Sequence, residues 1–373
     1  MKILFTVGKN YLPQGFGGIQ RNTHDLCNML MAAGHEPTIL AGLSPGDMRF
    51  YMNSIQRRLL GRAVVADKDC GYPVFRGWDL VNGFDWLLKR LKPDCVVLQS
   101  DHMAKFANLA QSKKIKAHAY FHNTTRYDID PDNPPVFDGV FSNSKFTHDW
   151  ILTAYGYQSV IVPPIIIPDR YRVHTGGKNI LFFNPHPDKG GPLVVEIAKV
   201  MPDLNFDFVA SWTEDAAIAT VRSAAQRVRN IHWHPATDDT REHLRSARVV
   251  LMPSQWVETW GRVASEAQVS GIPVIASNRG GLPEAVGLGG ITLPYDSLRD
   301  AWCAAIRRIV DKKDEHLALS RAALAHAGRP SFQPLEIVKS FLSYVLRILA
   351  LSGTSSIPCL LINSCWILLL GFS

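Results

Sequence analysis

Several signals that would define a compartment or a cofactor are scarce in this chain of 373 residues. Its six cysteines form no Cys-x-x-Cys pair and no Cys/His spacing typical of a metal site. A reduced, intracellular setting fits that cysteine usage best. Only about five apolar residues stand near the amino terminus, too few for a signal peptide. No block of Lys and Arg alternates with aromatic residues, so nucleic acid is an unfavoured partner.

Long apolar runs are also missing, except near the carboxyl terminus. The run Ile357–Phe372 has 16 residues, is interrupted by Asn363 and Ser364, and is short for a membrane span of about 20 residues. We therefore expect residues 351–373 to form a tail that is poorly ordered or partly packed, and the alternatives are an interfacial anchor or a membrane-facing hairpin arm. The excess of 40 Lys+Arg over 33 Asp+Glu favours an anionic ligand or an anionic membrane face. The expected location is cytoplasmic, with peripheral contact at the inner face of the membrane.

The length and the order of the patterns predict two domains. One hydrophobic core rarely serves this many residues, and strand patterns alternate with helical ones along most of the chain. We predict an α/β fold with a doubly wound, Rossmann-like domain over residues 1–168 and a second over 178–334. Residues 335–350 have the spacing of a further helix, and the stretch 44–77 is expected to be less regular. The third glycine of a dinucleotide fingerprint is missing after Gly15-x-Gly17, which disfavours a nicotinamide oxidoreductase.

Two glutamates in the second half flank the predicted start of a helix. If the helix begins near Gly261, Glu258 lies in the preceding loop and Glu266 lies roughly 7 Å along the axis, at about 1.5 Å per residue. The free N–H groups of the first turn would lie between them and suit a phosphate. This order of carboxylate, anion site and carboxylate matches a ligand made of a hydroxylated ring, a diphosphate and a ribose.

The residues around these glutamates form a long ordered pattern. It comprises Glu258-x-Trp260-Gly261-x-Val263-x-x-Glu266-Ala267, then Gly271-x-Pro273, then Gly280-Gly281-Leu282-Pro283-Glu284. This pattern resembles the signature of glycosyltransferase family 4, whose members are retaining, nucleotide-sugar-dependent enzymes of the GT-B architecture. The resemblance implies two Rossmann-like domains facing across a cleft, with the acceptor side first and the donor side second. It also implies that the last helix crosses back to the first domain.

The resemblance assigns roles to individual residues. Glu258 would hold sugar hydroxyls, Lys189 the departing diphosphate, and His122, at a strand end, would help to place the sugar. We therefore expect Glu258, Lys189 and His122 to be the catalytic residues. The expected donor-binding residues are Gly17, Gly18, Asn184, Trp260, Gly261, Arg262, Val263 and Glu266, and the glycine loop also brings in Arg21.

One position departs from the family pattern. The loop after the first strand of the second domain usually carries an arginine five residues before the lysine, and here that position is Asn184. His186 or Arg262 could supply the missing charge. If so, Lys189→Ala should nearly abolish turnover, whereas Asn184→Arg should leave it intact or raise it.

No metal and no cofactor is expected beyond the donor substrate itself. Asp128-x-Asp130 could hold a divalent cation, but it stands in a loop rich in Pro and Asn without neighbouring ligands, so a solvated loop is favoured. The predicted activity is transfer of a sugar from a nucleoside diphosphate sugar, with retention, to a glycan or lipid-linked acceptor. Two alternatives remain: an isomerase of related fold that acts on the nucleotide sugar, and a non-catalytic protein that binds sugar nucleotides or glycans.

Overall fold

The structure, a computed structural model, describes residues 1–45 and 48–351. The apolar run predicted to form a tail lies outside these residues. Among the described residues, no helix is long and apolar enough to cross a bilayer.

The first half of the chain forms an eight-stranded sheet with helices on both faces. Its strands are β1 Lys2–Asn10, β2 Glu36–Gly42, β3 Val64–Asp67, β4 Val74–Gly77, β5 Cys95–Gln99, β6 Lys116–Phe121, β7 Gly139–Ser142 and β8 Val160–Ile161. Its helices are α1 Gly18–Ala32, α2 Met48–Leu60, α3 Leu80–Leu91, α4 Met103–Ser112 and α5 Lys145–Tyr155. The strand order is β3-β4-β2-β1-β5-β6-β7-β8, which is doubly wound about β1.

The second half forms a six-stranded parallel sheet of order β11-β10-β9-β12-β13-β14. Its strands are β9 Asn179–Phe183, β10 Phe206–Val209, β11 Ile231–His234, β12 Ala247–Met252, β13 Val274–Ser277 and β14 Gly290–Leu293. Its helices are α6 Gly191–Val200, α7 Ala216–Ala225, α8 Arg241–Ser246, α9 Arg262–Gln268, α10 Leu282–Val286, α11 Arg299–Asp311 and α12 Lys313–Ala327, and the chain continues into α13 Pro334–Leu351.

Each sheet reverses its winding beside its first strand. In the first sheet the reversal lies between β1 and β5, and in the second between β9 and β12. Ligands of open α/β sheets bind outside the carboxyl ends of the strands at this switch point. The glycine loop follows β1, the Lys189 loop follows β9 and the Glu258 loop follows β12, so the three predicted loops stand at switch points.

The expectation of an irregular stretch over residues 44–77 is wrong. This stretch contains α2 and the antiparallel pair β3 and β4. The short connection between these two strands explains their antiparallel pairing, since a parallel pair needs a crossover of a dozen or more residues. The apolar residues Met48, Tyr51, Met52, Ile55 and Leu59 have helical spacing, so periodicity was a signal that could have identified this helix.

The last helix, α13, packs against the first domain although it follows the second in sequence. The Phe341 ring lies 4.9 Å from the Phe141 ring of β7 and 6.3 Å from the Phe5 ring of β1. Phe341 and Val345 are fully buried in the core of the first sheet. This helix therefore provides part of the hydrophobic core of a domain whose sheet ends nearly two hundred residues earlier.

Candidate active site

A cleft of about 1270 Å³ separates the carboxyl ends of the two sheets. One wall is formed by the glycine loop at residues 15–18 and by His122. The other wall is formed by the loops that carry Lys189 and Glu258 and by the first turn of α9. The switch points of both sheets therefore open into the same space, which is large enough for a sugar nucleotide.

Lys189 and Glu258 meet at the base of the second wall. The lysine Nζ lies 2.5 Å from Glu258 Oε1, and the Ser254 hydroxyl lies 3.3 Å from the same oxygen. Both charged side chains are mostly buried, with exposures of 28% and 18%. A diphosphate could replace Glu258 as the partner of the lysine ammonium. Sugar hydroxyls could likewise replace Lys189 as the partner of the carboxylate.

The backbone of the Glu258 loop is held by the second glycine motif. Gly281 N–H donates to the Glu258 carbonyl at 2.6 Å. Gly280 has φ +63°, and a Cβ there would stand 2.0 Å from the Glu258 carbonyl oxygen. Only glycine permits this approach without a clash, which gives a physical reason for the Gly-Gly pair in the sequence pattern.

Arg262 joins Glu266 to the first domain. Its guanidinium lies 3.3 Å from Glu266 Oε1 and 3.3 Å from Asp25 Oδ2, and it donates to the Ile165 carbonyl at 3.0 Å. Burial disfavours the charge of Arg262, but Glu266, Tyr171 and Asp25 outweigh burial and raise the pKa of its guanidinium. Arg262 therefore stays charged and ties the predicted ribose ligand Glu266 to α1.

His122 lies at the end of β6, as predicted, and its ring is buried. Its Nε2 lies 2.5 Å from Gln99 Oε1, and its ring centroid is 3.9 Å from that of Tyr120. Burial lowers the pKa of His122 to about 3. With the amide oxygen as acceptor, Nε2 carries the proton and Nδ1 keeps a free lone pair. The imidazole is therefore neutral at physiological pH.

Two glycines begin the helices that point into the cleft. Gly17 precedes α1 and Gly261 precedes α9, and neither helix receives a hydrogen bond from a capping side chain. Gly18 faces Arg262, whose Cδ would be 3.9 Å from a Cβ at that position. The first N–H groups of the 15-residue α1 have no intrahelical acceptor, so that helix end favours an anion.

Asn184 lines the cleft in the left-handed backbone region, with φ +54°. Asparagine tolerates this region better than arginine does. Its Oδ1 is buried and has no hydrogen-bond partner within the described part of the chain. The two side chains expected to compensate for it, His186 and Arg262, already lie beside carboxylates. His186 lies 3.5 Å from Asp215, and Arg262 is held as described above.

Trp260 and Val263 contribute mainly to packing, although both border the cleft. Trp260 is 3% exposed, its indole N–H donates to Ser265 Oγ at 3.0 Å, and its ring meets Phe332. Val263 packs on the same hydrophobic cluster. Both residues shape the wall that positions α9 rather than presenting polar groups to a ligand.

Contacts across the mouth of the cleft were not predicted. The Phe16 ring stacks on Trp212 with centroids 4.4 Å apart, and Arg21 lies 3.3 Å from Asp238. Trp212 follows β10 at the carboxyl edge of the second sheet, so the strand-end rule could have found it. Its partner Phe16 stands in the glycine loop itself, so the two walls touch at the same loop.

The predicted loop at Asp128 has a structural role. Its carboxylate accepts hydrogen bonds from the N–H groups of Ala104 and Lys105 at 3.1 and 3.2 Å, at the start of α4. Over residues 1–45 and 48–351, no cluster of three His, Cys, Asp or Glu side chains could hold a metal ion.

Two protein families match the chain in adjacent regions. The family described as Glycosyltransferase Family 4 matches residues 16–170, and that described as Glycosyl transferases group 1 matches residues 190–312. The first region contains Gly17, Gly18 and His122, and the second contains the Glu258 loop and Glu266, whereas Lys189 lies just before the second region. The chain belongs to glycosyltransferase family 4. Its family membership was correctly predicted from the Glu258 to Glu284 pattern.

Among curated proteins, the chain is similar to enzymes named D-inositol 3-phosphate glycosyltransferase. That of Corynebacterium glutamicum is 40% identical over 146 residues, which cover 39% of this chain and 33% of the relative. That of Corynebacterium kroppenstedtii is 37% identical over 97 residues, covering 26% and 21%. The match thus spans between a fifth and a third of these relatives' length.

Solved structures match over nearly the whole chain and show the GT-B fold. HepE of Anabaena, solved with UDP-glucose, has a TM-score of 0.74 at 16% identity and covers 93% of this chain and 100% of that one. A glycosyltransferase of Rickettsia africae has a TM-score of 0.73 at 17% identity and covers 93% and 98%. The predicted architecture of two Rossmann-like domains facing across a cleft is confirmed.

Proposed function

We propose that this family member transfers a sugar from a nucleoside diphosphate sugar to an acceptor, with retention at the anomeric carbon. The carrying observation is the Lys189–Glu258 pair, 2.5 Å apart in a cleft between two switch points. A bound donor would separate this ion pair. The Lys189 ammonium would then bind the diphosphate, and the Glu258 carboxylate would accept hydrogen bonds from the sugar hydroxyls. Charge-assisted hydrogen bonds of this kind contribute about 1.5–3 kcal/mol each.

Catalysis would consist mainly of positioning and stabilisation of the leaving group. Lys189 would stabilise charge that develops on the departing diphosphate as the glycosidic bond breaks. Glu266 would accept hydrogen bonds from the ribose diol while Arg262 holds its carboxylate in place. His122, neutral and fixed by Gln99, would accept or orient a sugar hydroxyl through its remaining ring nitrogen.

Direct evidence would come from a panel of nucleoside diphosphate sugars incubated with the protein in EDTA, with release of free nucleoside diphosphate measured over time. We expect slow hydrolysis of one donor by the wild type. Glu258→Ala and Lys189→Ala should reduce the rate by about 100-fold or more. Glu196→Ala and Lys199→Ala are the matched controls, because they remove the same charges from an exposed ion pair on α6.

The outcomes separate the alternatives. A donor converted to an isomer of the same mass would indicate an isomerase. Donor binding without release, even with glycan or lipid acceptors added, would indicate a binding protein. Activity restored only by a divalent cation would contradict metal-independent transfer. Once an acceptor is found, the anomeric coupling constant of the product by NMR tests retention.

A further inference from the structure

Helix α2, Met48–Leu60, carries its apolar face on the outside of the first domain. Successive helical residues are about 100° apart, so Met48, Tyr51, Met52, Ile55 and Leu59 fall within an arc of about 100°. These five side chains are 54–80% exposed. A surface helix normally turns such a stripe toward the core.

Apart from Phe50, the opposite face of α2 is polar, although it is the face that packs on the protein. Asn53 is buried, and Ser54 and Arg57 are half-buried. The polarity of the helix is therefore inverted relative to its surroundings. In water this arrangement leaves a contiguous apolar stripe uncovered, which marks an interaction surface.

The charge around the stripe is of one sign. Residues 48–66 contain four arginines and no Asp or Glu. Arg58 is exposed on the flank of the stripe, and Arg62 follows the helix in an exposed turn. An apolar stripe bordered by arginines is the composition of a helix that lies in the interface of an anionic bilayer, with its apolar side chains among the acyl chains.

The stripe is continuous with the acceptor side of the cleft. The Phe50 ring, on the other side of α2, lies 5.2 Å from the Tyr51 ring of the stripe and 5.3 Å from the Trp78 ring, and Trp78 lines the cleft. Trp78 is itself half exposed, at 52%, so an apolar path runs from the helix surface to the cleft mouth.

We propose that α2 docks the protein on an anionic membrane surface, with Met48, Tyr51, Met52, Ile55 and Leu59 inserted and the exposed Arg58 and Arg62 on lipid phosphates. The acceptor is then an amphiphile that stays in the bilayer while its head group enters the cleft past Trp78. The docking stands on the helix alone, whereas the acceptor class rests on the proposed transferase function.

The test is co-sedimentation of the full chain with vesicles of phosphatidylcholine, alone or with one third phosphatidylglycerol. We expect the wild type to bind the anionic vesicles about tenfold more tightly than the neutral ones. Ile55→Ser with Leu59→Ser should weaken binding to anionic vesicles about tenfold or more. Leu288→Ser with Leu298→Ser is the matched control, since these leucines are 83% and 81% exposed on the second domain.

Two further measurements distinguish failure of the docking proposal from misfolding of the variant and from failure of the proposed transferase function. Donor hydrolysis in solution by the α2 double variant should equal that of the wild type, which shows that the variant is folded and tests the cleft independently. Equal vesicle binding by wild type, double variant and control would overturn the proposal, as would the absence of wild-type binding. A dimer in sedimentation velocity that the α2 variant abolishes, without vesicle binding, would assign the stripe to a second copy and also overturn it.

Discussion

Asn184 shows how the backbone constrains the choice of residue in the loop that leads to Lys189. Its φ of +54° lies where Asn is enriched and bulkier side chains are strained. An arginine at this position would add charge next to Lys189 but would also meet that backbone cost. Sequence comparison alone suggests a missing charge, whereas the structure shows a conformational reason for the side chain that is present.

The cost of the left-handed backbone at this position can be measured as a change in stability. We expect Asn184→Arg to lower the free energy of unfolding by about 1 kcal/mol, because the left-handed conformation is retained. Asn184→Gly should be no less stable than the wild type, since glycine accepts positive φ. Urea unfolding of the three proteins checks this order. An arginine variant more stable than the glycine variant would show that φ does not limit this position.

His118 is buried in the first domain with no hydrogen-bond partner for either ring nitrogen in the part of the chain described. Burial lowers its pKa to about 4. The folded state therefore holds the neutral ring, while the unfolded chain takes up a proton below about pH 6.5. The stability that depends on this neutral ring is complete above pH 6.5 and is lost as pH falls toward 4.

Replacing His118 by leucine should remove this sensitivity to acid. Between pH 7.5 and pH 5 we expect the variant to lose about 2 kcal/mol less unfolding free energy than the wild type, which is 1.5 pH units at about 1.36 kcal/mol each. Denaturant titrations at the two pH values give the difference. The exposed His232→Leu is the control, and an equal effect there would refute the assignment to His118.

At the scale of elements, short glycine turns position the two site loops. The Gly280-Gly281 turn before α10 lies directly against the backbone of Glu258, and the glycine loop before α1 faces Arg262 of α9. Both contacts join loops distant in sequence. The strength of the family pattern thus comes from backbone approach as well as from the glutamates.

Gly280→Ala should cost more unfolding free energy than the placing of an alanine at positive φ costs by itself. Its Cβ would stand 2.0 Å from the Glu258 carbonyl oxygen, so the loop must move. Gly34→Ala is the control, since φ is +79° there and no atom lies within 4 Å of the added Cβ. We expect about 1 kcal/mol lost at Gly34 and at least about 3 kcal/mol at Gly280. Thermal unfolding and donor titration should separate the two, and equal losses would contradict the clash.

At the scale of the whole molecule, a buried carboxylate connects the domains. Asp25 of α1 is fully buried and lies 2.5 Å from Arg170 and 3.3 Å from Arg262. Nearby, Thr259 donates to the His122 carbonyl at 2.6 Å and Glu284 accepts from Lys145 N–H at 2.8 Å. The relative orientation of the domains therefore depends on polar contacts that border the cleft.

Asp25→Asn should loosen this connection, because Arg262 stays buried with one counter-charge fewer. We expect a loss of about 3 kcal/mol in unfolding free energy and weaker donor binding. Asp203→Asn is the control, since that exposed carboxylate pairs with Arg307 at the surface, where solvent screens the pair and its loss should cost much less. Small-angle scattering should show a larger radius of gyration for Asp25→Asn only; an unchanged radius and affinity would show that the pair does not set the domain geometry.

The sequence by itself determined the α/β class and the two sheets, and it predicted loops that line the cleft. Strand periodicity, Gly and Pro stops and the Glu258 to Glu284 spacing are local signals, and local signals survive in a linear sequence. Helix α9 was placed within one residue of its observed start at Arg262.

Only the tertiary structure decided which distant groups meet and which face of a helix is outside. The sequence contains no sign that Asp25 would pair with Arg262, since that contact needs both domains in place. It likewise could not show that Trp260 packs inward or that the apolar stripe of α2 points to solvent, because periodicity defines a face without its direction. Those directions are set by packing between elements, which depends on the whole fold.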